Sequence, residues 1–221
     1  MKDNGLLVQY FNANTPADQT LWAKAAKDAV TLKKIGATAV WFPPATKGAA
    51  GKEDMGYAPY DLYDLGEFNQ KGSVGTRYGT KKEYLEAIDA MKAQGINVYA
   101  DIAVRQKLGA DSVEKVTAAD FNAKDIPQMI GNKKIVGALS KFTFAGRRSK
   151  YSKFKWNWNH FAGIDWQQDD FKKRVCELSG MTEEEAEKKY KLSKYDYIIG
   201  SELDLYNQEV YDELMTWAKW Y

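Results

Sequence analysis

Scarce histidine and cysteine narrow the chemistry open to this chain before any element is assigned. Its 221 residues hold one of each. His160 lies in an aromatic stretch with no Ser, Cys or metal-type partner beside it, so packing within its lobe is expected rather than general-base work. Cys176 cannot form an intrachain disulfide, and without a CxxC or Cys/His cluster it points to neither zinc nor redox chemistry. Carboxylates and aromatic rings remain. Asp101 falls within the apolar run Ile96–Val104, at the end of a strand where an α/β fold places functional side chains. Arg105 and Gln106 follow it directly. Tyr57 sits in a long loop rich in Gly and Tyr, and Asp196 and Glu202 supply carboxylates further on.

The elements that must hold these residues can be read from spacing. Leu6–Phe11 is a short apolar run of β type. Thr20 precedes Leu21, Trp22, Ala25, Ala26, Ala29 and Leu32, which recur at helical intervals, and Gly36 stands where a left-handed C-terminal glycine belongs. Ala39-Val40-Trp41-Phe42 reads as a buried strand ended by Pro43-Pro44. Thr80 and Glu83 form a capping-box pattern ahead of a helix facing inward with Tyr84, Ala87, Ile88 and Met91, and Ile96–Val104 is the third strand. The first hundred residues therefore alternate strand and helix as parallel βαβ units do. From Arg105 the pattern changes. Phe154–Asn159 alternates with period two, predicting a half-exposed antiparallel strand. Thr182 and Glu185 cap a short charged helix, Glu183–Lys189. Behind Asn207, a last helix carries Val210, Tyr211, Leu214, Trp217, Ala218 and Tyr221 on one face.

Composition excludes several classes of partner. Thirty-two Lys+Arg against thirty Asp+Glu give a formal charge of +2, so no bulk field draws nucleic acid or an anionic membrane. Lys172-Lys173-Arg174 and Lys188-Lys189 lie among glutamates and read as solvated faces. No apolar run is long enough to span a bilayer. The start, Met1-Lys2-Asp3-Asn4-Gly5, lacks a signal peptide's apolar core, so a cytoplasmic protein is expected. Aromatics at 14%, with seven Trp and fourteen Tyr, suit a surface on which sugar rings stack, but composition alone favours a large core.

Longer motifs carry a resemblance. Gln9-Tyr10-Phe11, Ala39 to Pro44, Gly56-Tyr57-Ala58-Pro59-Tyr60-Asp61-Leu62-Tyr63-Asp64-Leu65-Gly66-Glu67-Phe68, Tyr78-Gly79-Thr80, Val98-Tyr99-Ala100-Asp101 and Phe154-Lys155-Trp156-Asn157-Trp158 occur in this order. Together they resemble glycoside hydrolase family 13, the α-amylase family, in its bacterial liquefying and cytoplasmic forms. The match covers most of residues 6–166 and resumes from Tyr195. It implies an α/β chain forming part of a (β/α)8 TIM barrel, about three βα units, with an inserted β-rich lobe resembling the family's domain B. The implied division is 1–104 for strands and helices of the barrel, 105–199 for the lobe, and 200–221 for the return to the barrel with its third helix.

The family cleaves α-1,4-glucans with retention, which needs two closely spaced carboxylates, one to attack and one to protonate. The resemblance places the nucleophile, the acid/base and a further Asp beyond Tyr221. No catalytic residue is expected among these 221 positions, and no activity from them alone. As substrate-binding residues it implies Tyr57, stacking on the sugar, with Asp101 supporting the cleft and Gln106 standing where the family has a sugar-contacting His. Other positions depart from the pattern. Arg105 replaces a calcium-binding Asn, Ala162 an Asp, and Glu202 another calcium-binding Asp. Phe11 leads into Asn12-Ala13-Asn14, where the liquefying enzymes carry Glu and two aromatics. No metal and no cofactor are therefore expected, with Arg105 substituting for the cation by bridging Asp196 or Glu202. The expected partner is an α-glucan, and self-association or a complementary chain is expected along an open sheet edge. The alternative reading is a non-catalytic, degenerate homologue that binds glucan or acts as an interaction module.

Overall fold

The computed structural model describes residues 5–122, 128–167, 172–177 and 199–221. The chain separates into two compact units, residues 1–104 with 145–147 and residues 105–144 with 148–221.

In the first unit, three strands pair in parallel. β1 (Leu7–Gln9), β2 (Ala39–Phe42) and β5 (Asn97–Ala100) form an open sheet in the order β1-β2-β5, with Val8 against Val40 and Val40 against Val98. The sheet does not close into a barrel. Between its strands run α1 (Leu21–Lys34) and α2 (Lys81–Ala93). α1 buries Trp22, Ala25, Ala29 and Leu32, and α2 buries Tyr84, Ala87 and Met91, as the helical spacing requires. Trp22 is the centre of this core, with ring centroids 5.2 Å from Phe42, 5.5 Å from Tyr78 and 4.9 Å from Tyr84. Side chains alternate across a strand, so the Val40 and Phe42 face is sealed while Leu7, Trp41 and Tyr99 stay 53%, 36% and 59% exposed.

The boundaries are shorter than the apolar runs. The first strand ends at Gln9 and the third at Ala100. Single bonds extend the ladder beyond them, from Tyr10 N to Trp41 O at 2.9 Å and from Asp101 N to Phe42 O at 3.0 Å. The Thr80–Glu83 capping box forms as expected. Thr20 does occupy the cap of α1, but its hydroxyl donates to Asp18 at 2.8 Å and makes no cap bond. Gly36 turns the chain out of α1 at φ +88°, a conformation that costs glycine no Cβ clash. β3 (Lys47–Gly48) and β4 (Pro59–Asp61) add a small antiparallel pair in the long loop.

The second unit is mainly antiparallel. β6 (Gln106–Lys107), β7 (Ser112–Asn122), β8 (Gln128–Lys141), β9 (Phe161–Gln167), β10 (Lys172–Glu177) and β11 (Ser201–Leu203) form a sheet in the order β10-β7-β8-β9-β11-β6, and β10 also pairs with β9. The β7–β8 ladder is the longest pairing, and it buries Val116, Ala118, Val136 and Ala138 on one face.

Phe154–Asn159 is not a strand. Only Trp156 bridges, to Phe142, before Asn157 caps a short 3-10 turn at Trp158–His160. Its period-two pattern has another cause: Phe154 and Trp156 both pack on the His160 ring, at 4.7 and 5.7 Å between centroids. α3 (Gln208–Trp220) begins at Asn207, whose side chain accepts from Glu209 N at 2.9 Å. It buries Val210 and Trp217 only, and Tyr211 is exposed, so its apolar stripe is narrower than the spacing predicts. This helix groups with the second unit. The expected helix at Glu183–Lys189 lies outside the described residues. Among those that are described, no helix is long and apolar enough to cross a membrane.

Candidate functional site

Tyr57 and Asp101 meet. The phenol donates to Asp101 Oδ2 at 2.6 Å, a short charge-assisted bond across 44 residues of sequence. Asp101 is delivered by the last bond of the parallel ladder, and its strand is held by β2. Tyr57 is delivered by a tight turn. Gly56 adopts φ +94°, and a Cβ there would lie 2.7 Å from Pro44 Cβ and 2.8 Å from Pro44 O, so only glycine fits. Asp54 Oδ1 accepts from Gly56 N at 2.7 Å, and Ala49 N donates to Ala58 O at 2.8 Å. Behind the turn, buried Tyr78 donates to Met55 O at 2.9 Å. Burial, then the bond and charge of Asp101, push the Tyr57 phenol well above the usual tyrosine range, so it stays a donor at neutral pH. The ring remains 41% exposed. A fixed, half-exposed aromatic face beside an acceptor-rich carboxylate can stack on an apolar sugar face and bond its hydroxyls.

A groove of about 710 Å³ opens past the end of β1, with Tyr10, Asn12, Asn14, Lys24 and Asp28 among its walls. Tyr10 donates to Asp28 at 2.6 Å there, and burial foremost raises its phenol.

The second unit holds the remaining sequence candidates. Gln106 lies on β6 opposite Glu202 of β11, so it falls in a different unit from Tyr57 and Asp101. Arg105 Nε donates to Glu202 Oε1 at 2.7 Å, and Leu203 N donates to Arg105 O at 2.9 Å. Asp196 lies outside the described residues. Calcium takes six to eight oxygens, and two of the positions that the resemblance ties to it, 162 and 202, are among the described residues. Ala162 has no side-chain oxygen, and the Glu202 carboxylate is held by a guanidinium.

His160 packs as expected, 3% exposed. Its Nδ1 accepts from Asn157 N at 3.0 Å, which places the ring proton on Nε2, 3.1 Å from Glu209 Oε2.

The first unit also holds a buried polar cluster that no sequence motif announces. Arg147 Nε donates to Asp61 Oδ2 at 2.7 Å. The Gln70 amide donates to Asp61 at 2.9 Å and to Asp64 at 3.0 Å. Asp64 Oδ1 also accepts from the backbone N–H groups of Gly66, Glu67 and Phe68. Burial pushes Asp64 upward, with Lys47 and these bonds acting the other way, and burial pushes Lys47 downward. Both acids stand in the motif from Gly56 to Phe68. The one available signal was the recurrence of Asp at a spacing of three between aromatic and leucine residues, and that does not reveal burial.

With this geometry in place, sequence comparison gives the likeness: across the stretch it spans, the chain is similar to α-amylases of glycoside hydrolase family 13. An α-amylase of Geobacillus stearothermophilus is 46% identical over 219 residues, 99% of this chain and 40% of that protein. The glucan 1,4-alpha-maltohexaosidase of Bacillus sp. strain 707 is 41% identical over 99% of this chain and 42% of its own length. The cytoplasmic α-amylase of Escherichia coli K12 is 38% identical over 98% and 44%. The chain thus spans about two fifths of these curated relatives. No family model matches it. Among solved structures, a truncated alternansucrase from Leuconostoc mesenteroides superposes with a TM-score of 0.46 at 23% identity, over 62% of this chain and 13% of that one.

Proposed function

We propose that this chain forms part of an α-glucan cleft in a protein of starch or α-glucan metabolism, with Tyr57 as the stacking surface and Asp101 as the residue that positions it. The observation that carries the reading is the 2.6 Å bond between them at the C-terminal end of a parallel strand, where ligands of such sheets bind. The similarity to α-amylases supports the choice of ligand. Gln106 as a further contact rests on the resemblance alone. Without the carboxylates that the resemblance places beyond Tyr221, the 221 residues bind glucan and do not cleave it. The test is affinity electrophoresis in gels with and without amylopectin, beside release of reducing ends from soluble starch. Retardation that weakens in Tyr57→Ala, without turnover, is expected. Equal mobility in both gels refutes glucan binding, and turnover abolished by Asp101→Asn refutes the inactive reading.

In the same reading, β1, β2 and β5 with α1 and α2 are opening βα units of a (β/α)8 barrel, residues 105–199 are its inserted lobe, and 200–221 return to the barrel. Arg105 takes the cation's place by holding Glu202. A cytoplasmic setting is supported by the relative of that description in Escherichia coli. The open edges of the β1-β2-β5 sheet and its exposed Leu7, Trp41 and Tyr99 make a template for pairing, so the chain self-associates or takes a complementary chain. Light scattering at rising concentration tests the first of these, and a sharp monomer throughout contradicts self-association.

A further inference from the structure

Lys47 is fully buried, and its ammonium is surrounded by oxygen. Nζ lies 2.6 Å from Val74 O, 2.7 Å from Ser73 O, 3.3 Å from Phe68 O and 3.4 Å from Gly75 O, with Asp64 Oδ2 at 3.6 Å. An ammonium has three N–H donors. Five oxygens within 3.6 Å exceed what three hydrogen bonds can use. Four of them accept hydrogen bonds from Nζ, which must share its three N–H groups among them, and with Asp64 they close a shell of oxygen around the charge. Three of the carbonyls come from the consecutive residues Ser73, Val74 and Gly75, turned inward together. Convergent carbonyls of this kind replace the hydration shell of a potassium ion in channel filters, and one carboxylate balances a single positive charge.

We propose that this enclosure is a monovalent-cation site, of potassium or ammonium size, which the chain fills with its own Lys47 side chain. The lysine is a tethered cation. It supplies the charge that holds the carbonyls of the 68–75 segment together, and β3 delivers it there. Removing the side chain beyond Cβ leaves a cavity whose walls still select a small monovalent cation. Replacing it by a neutral chain of similar length fills that cavity and leaves five oxygens facing an apolar group.

The experiment uses the full chain with Lys47→Ala and Lys47→Met, melted in potassium, ammonium or tetramethylammonium chloride at equal ionic strength. The wild type is expected to melt at one temperature in all three salts. Lys47→Ala is expected to melt about 10 °C lower in tetramethylammonium, the scale for a broken buried ion pair in a chain of this size. It should recover several degrees, saturably, in potassium or ammonium. Lys47→Met should melt low in all three. If Lys47→Ala does not survive purification, its refolding yield from denaturant in each salt is the reading, and recovery confined to potassium or ammonium supports the proposal. An equal response of Lys47→Ala to all three salts, no refolding in any of them, or a Lys47→Met variant as stable as the wild type overturns it.

Discussion

Arg147 and Asp61 are 86 residues apart in sequence and 2.7 Å apart in the fold, Nε to Oδ2, with both side chains 1% exposed. Arg147 belongs by its contacts to the first unit, although the chain on either side of residues 145–147 belongs to the second. Its guanidinium also lies 5.2 Å from the centroid of the Tyr63 ring. Breaking a pair so deeply buried leaves an uncompensated charge. Arg147→Met is therefore expected to cost about 3–5 kcal/mol, read from urea midpoints. Asp61→Leu combined with Arg147→Met should cost clearly less than the two single changes summed. Additive losses would mean that the two side chains do not act as a pair.

Arg105 and Glu202 are a different case, because Arg105 is 47% exposed while Glu202 is 15% exposed. Solvent screens such a pair, and Arg105→Ala should cost about 1 kcal/mol or less. With the guanidinium in place, calcium or a chelator should leave the melting temperature unchanged. A rise of several degrees on adding calcium would show that an ion, and not Arg105, holds Glu202.

Alkaline pH should loosen the first unit through Tyr78. Burial foremost raises its phenol to about 12, and Arg77 opposes the shift, whereas an unfolded tyrosine titrates near ~10. Between those values the native state keeps a proton that the unfolded chain has lost. The stabilisation is complete below pH ~10 and falls by about 1.4 kcal/mol per pH unit as pH rises towards the folded value. Urea midpoints measured from pH 9 upward should decline less steeply in Tyr78→Phe. Parallel curves for the two proteins would count against Tyr78.

Gly56→Ala should damage stability and ligand retention together. The left-handed backbone alone costs an alanine about 1–2 kcal/mol, and the contact with Pro44 adds to it, so a loss of about 2 kcal/mol or more is expected. Because Tyr57 is the next residue, retardation by amylopectin should weaken too. Full retardation in a destabilised variant would separate the turn from the site.

The sequence was most legible where the structure is regular. The capping box at Thr80 and Glu83, the buried faces of α1 and α2, and the strand Ala39–Phe42 follow from local spacing, because period and burial coincide there. It was least legible where pairing is distant. The β7–β8 ladder brings together residues that carry charged and small side chains in no plain alternation. The period-two stretch at Phe154–Asn159 misleads because a histidine can be the common packing partner of alternate rings without any ladder. Of the candidate site, Tyr57 and Asp101 could be picked by motif, and their contact could not, since it depends on a glycine turn and one ladder bond. The Lys47, Asp61, Asp64 and Arg147 cluster escaped for a simpler reason. Charged residues in a polar loop predict solvent, and only folding reveals that four backbone carbonyls and an amide have replaced it.

The tether at Lys47 also bears on how the first unit opens. Because one ammonium gathers carbonyls from Phe68 to Gly75, no part of that segment can leave while the others stay without exposing oxygens that have lost their counter-charge. The 64–76 stretch and the β3–β4 pair should therefore breathe as one body. In native-state hydrogen exchange their amides, Lys47 N to Asp64 O and Ala49 N to Ala58 O among them, would share one opening free energy although they lie in a long loop. A stretch of chain with little regular secondary structure would then exchange with the slowness of a helix core, and the protease-sensitive positions of the unit would lie elsewhere.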